Sequence, residues 1–307
     1  MRFFREFEDN LGSASGSPAG AEVGELKLSV LNVKAVVALA SARGGVGKSS
    51  LAVNLAAALA VKGRKVGILD ADLNAPCVAT MLGMRRIQAF AAAGVIEPAA
   101  GPLGLRLIGM DLLGAAGSSF VEAPEAEKNA DLMSHEPAEP DESQRLRRLL
   151  AETRFGFLDL LLIDLAPGLD HFERISKLAN LSGVVFVTQS SDVALRSMHR
   201  AIDLAARNAT PLLGIIENMA GFYCGQCQSV RPLFPQGDAL GLRREFEPSI
   251  LGRLPFDPRL AESCDRGIPF IRQYADSPLA RQVLALAERL EQALSAHAVA
   301  AQVSAKP

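Results

Sequence analysis

A glycine-rich loop between a strand-like run and a helix-like run is the feature that most restricts the fold of this chain. An apolar stretch at 35–40, AVVALA, precedes the loop, and a helix-forming stretch at 51–61 follows it. In that setting backbone N–H groups converge on one point beside a helix N-terminus and can hold phosphate oxygens. We call residues 41–50 the P-loop. The residues expected to contact a nucleotide there are Gly44, Gly45, Val46, Gly47, Lys48, Ser49 and Ser50.

Two P-loop side chains have specific expected roles. Lys48 is expected to reach the outer phosphates, and the Ser49 hydroxyl is expected to bind Mg²⁺. The first position of the usual motif holds Ala42 instead of glycine. An alanine is strained there if the position requires a positive φ angle and is tolerated if it does not, so the sequence leaves that point open.

Composition places the chain among ordinary globular proteins. Its 307 residues are enough for one large α/β domain or two small ones, and 49% are hydrophobic and 21% charged. A net charge of −2 does not favour nucleic acid, and no apolar run reaches the ~18 residues of a membrane span. Residues 1–9 carry acids and do not resemble a secretory signal. Four cysteines are not a disulfide framework, so we expect a cytoplasmic protein with reduced thiols.

Strand-like and helical patterns alternate along most of the chain. Strands are predicted at 35–40, 65–69, 105–109, 159–163, 184–188, 212–216 and 250–254. Helices are predicted at 48–61, 144–152, 192–207, 239–247 and 278–294. Continuous apolar strands separated by helices predict an α/β fold, a doubly wound, mostly parallel sheet with helices on both faces.

The sequence predicts one domain with flexible ends. Residues 1–30 are expected to form a flexible leader, 31–298 a single domain, and 299–307 a disordered tail. An insertion at about 121–144 contains eight acidic residues and one basic residue, Lys128. Its composition favours a solvated surface loop, and the alternative is a docking segment for a basic partner.

Carboxylates follow two of the predicted strands. Asp70 and Asp72 come at the end of one strand, and Asp164 follows a run of four apolar residues in another. Ligands of open α/β sheets bind at this end of the strands. We expect Asp164 to bind the water shell of Mg²⁺. Of the other two carboxylates, one is expected to hold Mg²⁺ through water, which makes Asp70 a cofactor-binding residue, and the other, Asp72, to orient an attacking water. The alternative for Asp70 and Asp72 is a helix cap or turn.

A Cys-x-x-Cys motif lies in a predicted loop at about 219–235. Cys224 and Cys227 supply two thiolates, whereas a tetrahedral zinc ion or a [4Fe–4S] cluster usually takes four ligands. A two-fold axis between two copies of the chain would present the same loop twice and complete such a site. The alternatives are a redox dithiol and inert thiols. Cys77 and Cys264 are interpreted as packing residues.

Together these motifs resemble the Mrp/ApbC family of P-loop ATPases, which carry and deliver iron–sulfur clusters. The resemblance covers about 34–294. It depends on the P-loop with a basic residue, Arg43, before its Gly-Gly pair, as in the MinD/ParA class, and on the strand ends at Asp70 and Asp164. The most specific part is Ile216-Glu217-Asn218-Met219 followed by the Cys-x-x-Cys, and the segment 252–259 adds to it.

The resemblance implies further roles by position. It implies a MinD-like P-loop NTPase fold, adenine contact by Asn218, and a base pocket lined by Pro255 and Asp257. It also implies that Arg43 reaches the nucleotide of a partner subunit, and that Cys224 and Cys227 hold a [4Fe–4S] cluster between two subunits. The chain departs from the family at Arg43, Ala166 and Leu169, where lysine, proline and threonine are usual, and it has no tryptophan.

Three functions are consistent with the sequence. The first is a homodimeric, ATP-binding [4Fe–4S] carrier that serves apo iron–sulfur proteins and hydrolyses ATP slowly, with Arg43, Lys48, Asp72 and Asp164 as catalytic residues. The second is a positioning ATPase of the MinD/ParA type, although the tail 296–307 has only Lys306 as a full positive charge. The third is a nucleotide-binding scaffold with a structural zinc site.

Overall fold

Runs of apolar residues become the strands of one large sheet and of a separate antiparallel pair, Phe90–Ala92 with Val95–Glu97, in the computed structural model. The structure describes residues 30, 32–92, 95–113, 142–227, 229–233 and 249–304. The strands are β1 (Val36–Ala40), β2 (Val66–Ala71), β3 (Phe90–Ala92), β4 (Val95–Glu97), β5 (Ala99–Ala100), β6 (Arg106–Ile108), β7 (Leu160–Leu165), β8 (Gly183–Gln189), β9 (Leu212–Tyr223), β10 (Val230–Arg231) and β11 (Ile250–Phe256). The helices are α1 (Lys48–Val61), α2 (Val78–Met81), α3 (Glu142–Glu152), α4 (Leu169–Leu178), α5 (Asp192–Arg207), α6 (Pro258–Asp265), α7 (Phe270–Gln273) and α8 (Pro278–Ser304).

The sheet is mostly parallel and has its P-loop strand at the centre. Its hydrogen-bonded order is β10-β9-β8-β1-β7-β2-β6-β5, and β11 also pairs with β9. All pairs among these strands are parallel except β5 with β6 and β10 with β9. Every residue of β1, β2 and β7 is buried, which explains their continuous apolar sequences. Strands β2 and β6 lie on one side of β1, and β8 and β9 lie on the other. Such a change of direction opens a crevice at the carboxyl end of the strands, where the P-loop follows β1.

The helices form two groups around the sheet. Helix α1 packs against α8, α2 and β2, whereas α4 packs against α3, α5 and β1. The apolar residues of α1 are buried around nearly its whole circumference, because the helix lies between the sheet and α8. This arrangement confirms the predicted α/β class with a mostly parallel sheet. No helix of the described part is long and apolar enough to cross a membrane.

Several element boundaries differ from the sequence prediction. The predicted bounds of α1 and α5 match the structure, but β9 continues seven residues further, to Tyr223. Helix α8 continues to Ser304, so the first part of the predicted disordered tail is helical. Helix α4, which was not predicted, begins directly after Gly168 and buries Phe172 and Ile175. The predicted helix at 239–247, most of the leader and most of the acidic insertion lie outside the described residues.

Candidate functional site

Two glycines give the P-loop its shape. Gly45 has φ 76° and Gly47 has φ 80°, and Gly47 also stands at the N-terminus of α1. Both angles lie in the left-handed region that glycine enters without steric cost. Ala42 is not among the described non-glycine residues with positive φ, so the alanine at this position is unstrained. The first departure from the usual motif therefore leaves the loop geometry intact.

A cleft of about 220 Å³ lies above the P-loop at the carboxyl end of the sheet. Its walls come from the P-loop, from the segment after β2 and from the turn after β7. The residues that line it are Ser41, Arg43, Gly44, Gly45, Val46, Gly47, Lys48, Ser49, Ser50, Asp72, Cys77, Met81 and Pro167. The structure thus brings the exposed Arg43 and the half-buried Asp72 to the same cleft as the P-loop.

A buried ion pair lies at the base of this cleft. Lys48 Nζ is 2.6 Å from Asp164 Oδ1, and the two side chains are 6% and 0% exposed. Burial raises the pKa of Asp164, and the adjacent Lys48 ammonium opposes that rise. Asp164 Oδ2 is buried and has no hydrogen-bond partner among the described residues. A buried carboxylate oxygen without a partner, close to the Ser49 side chain, fits a hydrated Mg²⁺ ion.

Asp70 has a different environment from Asp72. Its carboxylate is buried and accepts hydrogen bonds from the N–H groups of Cys77 (2.8 Å), Val78 (3.0 Å) and Asp72 (3.2 Å). It is not among the residues that line the cleft, whereas Asp72 is. The two carboxylates therefore do not face the cleft as a pair. Asp70 anchors the segment that carries Asp72, which matches the alternative of a capping and turn role.

Asp70 should give folding stability a distinctive pH dependence. Burial, and next the charge of Asp164, raise the pKa of Asp70 to about 7. Because the folded pKa exceeds the unfolded one, stability falls as the pH rises through 7 and recovers as the pH falls. We expect the free energy of unfolding to decrease by about 2 kcal/mol between pH 5.5 and 8 through this group. Urea unfolding at both pH values checks this. An Asp70→Asn variant with an unchanged slope would contradict it.

The residues implied to contact the base make other contacts in this structure. Asn218 is buried, and its Nδ2 donates to the carbonyl oxygen of Val46 at 2.8 Å. Asp257 is buried, caps α6 and forms two hydrogen bonds with the Arg259 guanidinium at 3.0 and 2.6 Å. Pro255 lies within β11, and none of the three lines the P-loop cleft. This hydrogen bond joins the side chain of Asn218 to the backbone of the P-loop.

The Cys-x-x-Cys lies directly after β9 in a tight turn. Cys224 N–H donates to the Ser229 carbonyl oxygen at 2.9 Å, and Cys227 Sγ is 2.9 Å from Ser229 Oγ. Cys227 is exposed and Cys224 half-buried, and both thiols are free. Within the described ranges no three His, Cys, Asp or Glu residues are grouped as a metal site. One copy of this turn therefore supplies two sulfur ligands.

Ser229 should control the reactivity of Cys227. The Ser229 hydroxyl, with further hydrogen bonds from the Ser229 backbone and the Cys224 side chain, lowers the pKa of Cys227 to about 7. A Ser229→Ala variant is expected to slow alkylation of Cys227 at pH 7 by roughly five- to tenfold, since each pKa unit changes the thiolate fraction about tenfold. Mass spectrometry of the metal-free protein across a pH series measures this. An unchanged alkylation profile would contradict it.

Three residues near the P-loop were not predicted as site residues from the sequence. The Gln189 side-chain amide lies 3.4 Å from the Gly45 carbonyl oxygen and 3.3 Å from Met219 Sδ. The Cys77 thiol lines the cleft, and burial raises its pKa to about 11. Met219 follows Asn218 and has φ 54°. The strand-end position of Gln189 was a usable signal, because ligands bind at that edge of the sheet.

Known proteins resemble this chain in sequence and in fold. The chain is 32% identical over 268 residues to the "Iron-sulfur cluster carrier protein" of Saccharolobus solfataricus, covering 87% of this chain and 86% of the relative. A nucleotide-binding protein of Archaeoglobus fulgidus, solved in complex with ADP, superposes with a TM-score of 0.64 at 28% identity, covering 82% of this chain and 92% of that one.

The fold is also found in more distant proteins. The septum site-determining protein MinD of Pyrococcus horikoshii superposes with a TM-score of 0.59 at 18% identity, covering 88% of this chain and 99% of that one. That likeness concerns the fold alone. A sequence model of the ParA group, described as NUBPL iron-transfer P-loop NTPase, matches residues 32–291. The chain belongs to this family of iron-transfer P-loop NTPases.

Proposed function

We propose that this protein is an ATP-binding iron–sulfur cluster carrier that receives a [4Fe–4S] cluster and transfers it to apo iron–sulfur proteins. The observation that carries the proposal is the presence of a P-loop cleft and an exposed Cys-x-x-Cys in one domain, joined by the single strand β9. The names of relatives such as that of Saccharolobus solfataricus support the same function. The need for reduced thiols makes a cytoplasmic location part of the proposal.

The cluster is the cargo, and two copies of the chain hold it. Cys224 and Cys227 provide two thiolates per copy, and a [4Fe–4S] cluster takes four. A two-fold axis through this turn brings the second pair without any further ligand. The alternative is a structural zinc ion on the same four thiolates. The exposure of Cys227 suits a site from which the cluster must leave.

The P-loop binds ATP, and residues from three strand ends act on it. Gly44 to Ser50 hold the phosphates, and Ser49 with Asp164 holds Mg²⁺. When bound, Mg²⁺ neutralises charge on the phosphates. Lys48 leaves Asp164 and donates to phosphate oxygens, because these carry more negative charge than the single carboxylate.

Hydrolysis requires an oriented water and a second subunit. Asp72 lines the cleft and orients the attacking water, and Asp70 holds the segment that carries Asp72. Arg43 is exposed at the cleft, so its guanidinium can reach the nucleotide of a facing copy. Adenine contacts Asn218 and the segment containing Pro255 and Asp257. Arg43 and Leu169 replace the usual lysine and threonine, and we propose that hydrolysis is slow for this reason.

Cluster transfer to an apo recipient tests this proposal. The loaded protein is mixed with an apo [4Fe–4S] protein, and the cluster on the recipient is followed by its absorbance with ATP, with ADP and without nucleotide. We expect transfer from the wild type at a nucleotide-dependent rate and loss of that dependence in Lys48→Ala. Absence of transfer, or a rate that ignores nucleotide and the Lys48→Ala change, would overturn the proposal.

A further inference from the structure

Strand β9 connects the P-loop cleft to the cysteine turn without interruption. Asn218 contacts the P-loop backbone, and Cys224 follows only six residues later, one residue beyond the strand. A short strand segment passes on a displacement if its backbone has two possible arrangements. It passes on little if all its residues are hydrogen-bonded in a regular ladder. The details of residues 219–221 therefore decide whether the two sites can influence each other.

Met219 stands in an unusual backbone conformation at the start of this link. Its φ of 54° lies in the left-handed region, which residues with a Cβ usually avoid. Its side chain turns toward the P-loop, where Sδ is 3.3 Å from Gln189 Nε2. A Cβ placed on Gly47 would be 3.5 Å from Met219 Cε. The strained backbone of Met219 thus occurs together with side-chain contacts to Gln189 and close to Gly47.

The pairing of β9 is irregular at the same point. Asn218 pairs with Leu254 of β11, and the next pair joins Phe222 to Phe256. Within β11, Pro255 alone lies opposite residues 219–221 of β9, and proline has no N–H group to donate. We call this register shift the bulge; irregularities of this kind redirect a strand and are common next to functional sites. The segment that leads to the cysteines is consequently not fixed by a regular ladder.

Gly221, the last residue of the bulge, is tightly packed against β10. A Cβ on Gly221 would be 2.6 Å from Val230 Cγ1 and 2.8 Å from the Arg231 carbonyl oxygen. Strand β10, which contains Val230 and Arg231, leads back to Ser229, the residue that hydrogen-bonds to both cysteines. A shift of Gly221 therefore moves β10 and, with it, the hydrogen-bond partner of the thiols.

We propose that the bulge at residues 219–221 is a relay through which nucleotide at the P-loop repositions the cysteine turn. Nucleotide that moves the Val46 carbonyl or Gly47 displaces Asn218 and Met219, and the bulge passes this movement to Gly221 and β10. Met219 is a positioning residue in this relay and contacts neither cargo nor phosphate. The inference rests on the proposed carrier function, because it concerns how one of its sites regulates the other.

Thiol alkylation in the metal-free full-length protein tests the relay. The rates for Cys224 and Cys227 are measured by mass spectrometry without nucleotide, with Mg-ADP and with Mg-ATP. In the wild type we expect nucleotide to change these rates at least threefold. In Met219→Gly the left-handed conformation costs nothing and the side-chain contacts are lost, so the change should fall below 1.5-fold. Titration with a fluorescent ATP analogue under the same conditions reports nucleotide occupancy in both proteins.

A matched variant controls for the added glycine. Ala209 has φ 50° in the turn before β9 and lies outside the relay, so Ala209→Gly should keep the wild-type nucleotide effect. A full effect in Met219→Gly, or no effect in a wild type that binds nucleotide, would overturn the relay. Normal cluster loading in that same wild type would leave the carrier function standing. Failure of loading, or lack of nucleotide binding, would overturn the carrier function and the relay together.

Discussion

Replacing Lys48 with alanine is expected to lower the rate of ATP hydrolysis by at least about 100-fold, because the variant loses the charge that stabilises the outer phosphates. The same change leaves Asp164 buried without its ion-pair partner, since Lys48 at 2.6 Å is the one cation paired with it in the described part of the chain. Breaking a buried pair in this way costs about 3–5 kcal/mol of folding stability. Phosphate release and urea unfolding measure the two effects on one preparation.

A double variant separates these two consequences of the Lys48 change. Lys48→Ala combined with Asp164→Asn removes the unpaired charge, so it should recover much of the free energy of unfolding while remaining inactive. A Lys48→Ala protein that hydrolyses ATP at the wild-type rate would contradict the phosphate role. A single variant as stable as the wild type would contradict the importance of the buried pair.

Gly47→Ala is expected to disrupt the P-loop more strongly than the neighbouring Gly45→Ala. Both positions have positive φ, which costs an alanine about 1–2 kcal/mol. At Gly47 the new Cβ would also be 2.5 Å from Asn218 Nδ2, whereas at Gly45 no described residue other than its chain neighbours has an atom within 4 Å of the new Cβ. The Asn218 hydrogen bond to Val46 must then break, which adds about 1 kcal/mol or more.

The two alanine variants therefore form a matched pair. Urea unfolding should show a loss of about 2–3 kcal/mol for Gly47→Ala and about 1–2 kcal/mol for Gly45→Ala. Titration with a fluorescent ATP analogue should show that Gly47→Ala has lost most of its affinity. Equal stability of the two variants would mean that the Asn218 contact contributes nothing.

The elements with strong local patterns could be predicted from sequence. Helices α1 and α5 have the predicted bounds, because apolar periodicity and the glycine or serine at each start define them. The central strands are predicted within two residues at either end, since buried parallel strands are continuously apolar. Helix α4 was missed although Phe172 and Ile175 have helical spacing, because the preceding Pro-Gly was interpreted only as a turn.

Site details that depend on distant contacts were not predictable in this way. Asn218 contacts Val46 across 172 positions of sequence, and the bulge opposite Pro255 depends on how two strands pair. Asp70 and Asp72 have the same local spacing in either role, and only the fold of the following segment decides that Asp70 holds backbone N–H groups. No sequence signal predicted the positive φ of Met219, because glycine or asparagine usually occupies a position with positive φ.

The iron and sulfide content of the reconstituted protein tests the central claim most directly. The wild type and Cys224→Ser are purified without oxygen, loaded with iron and sulfide, and assayed together with their mass in solution. The account predicts about four iron and four sulfide per dimer in the wild type and almost none in Cys224→Ser. A monomer without cluster, a site filled by zinc alone, or full loading of Cys224→Ser would contradict it.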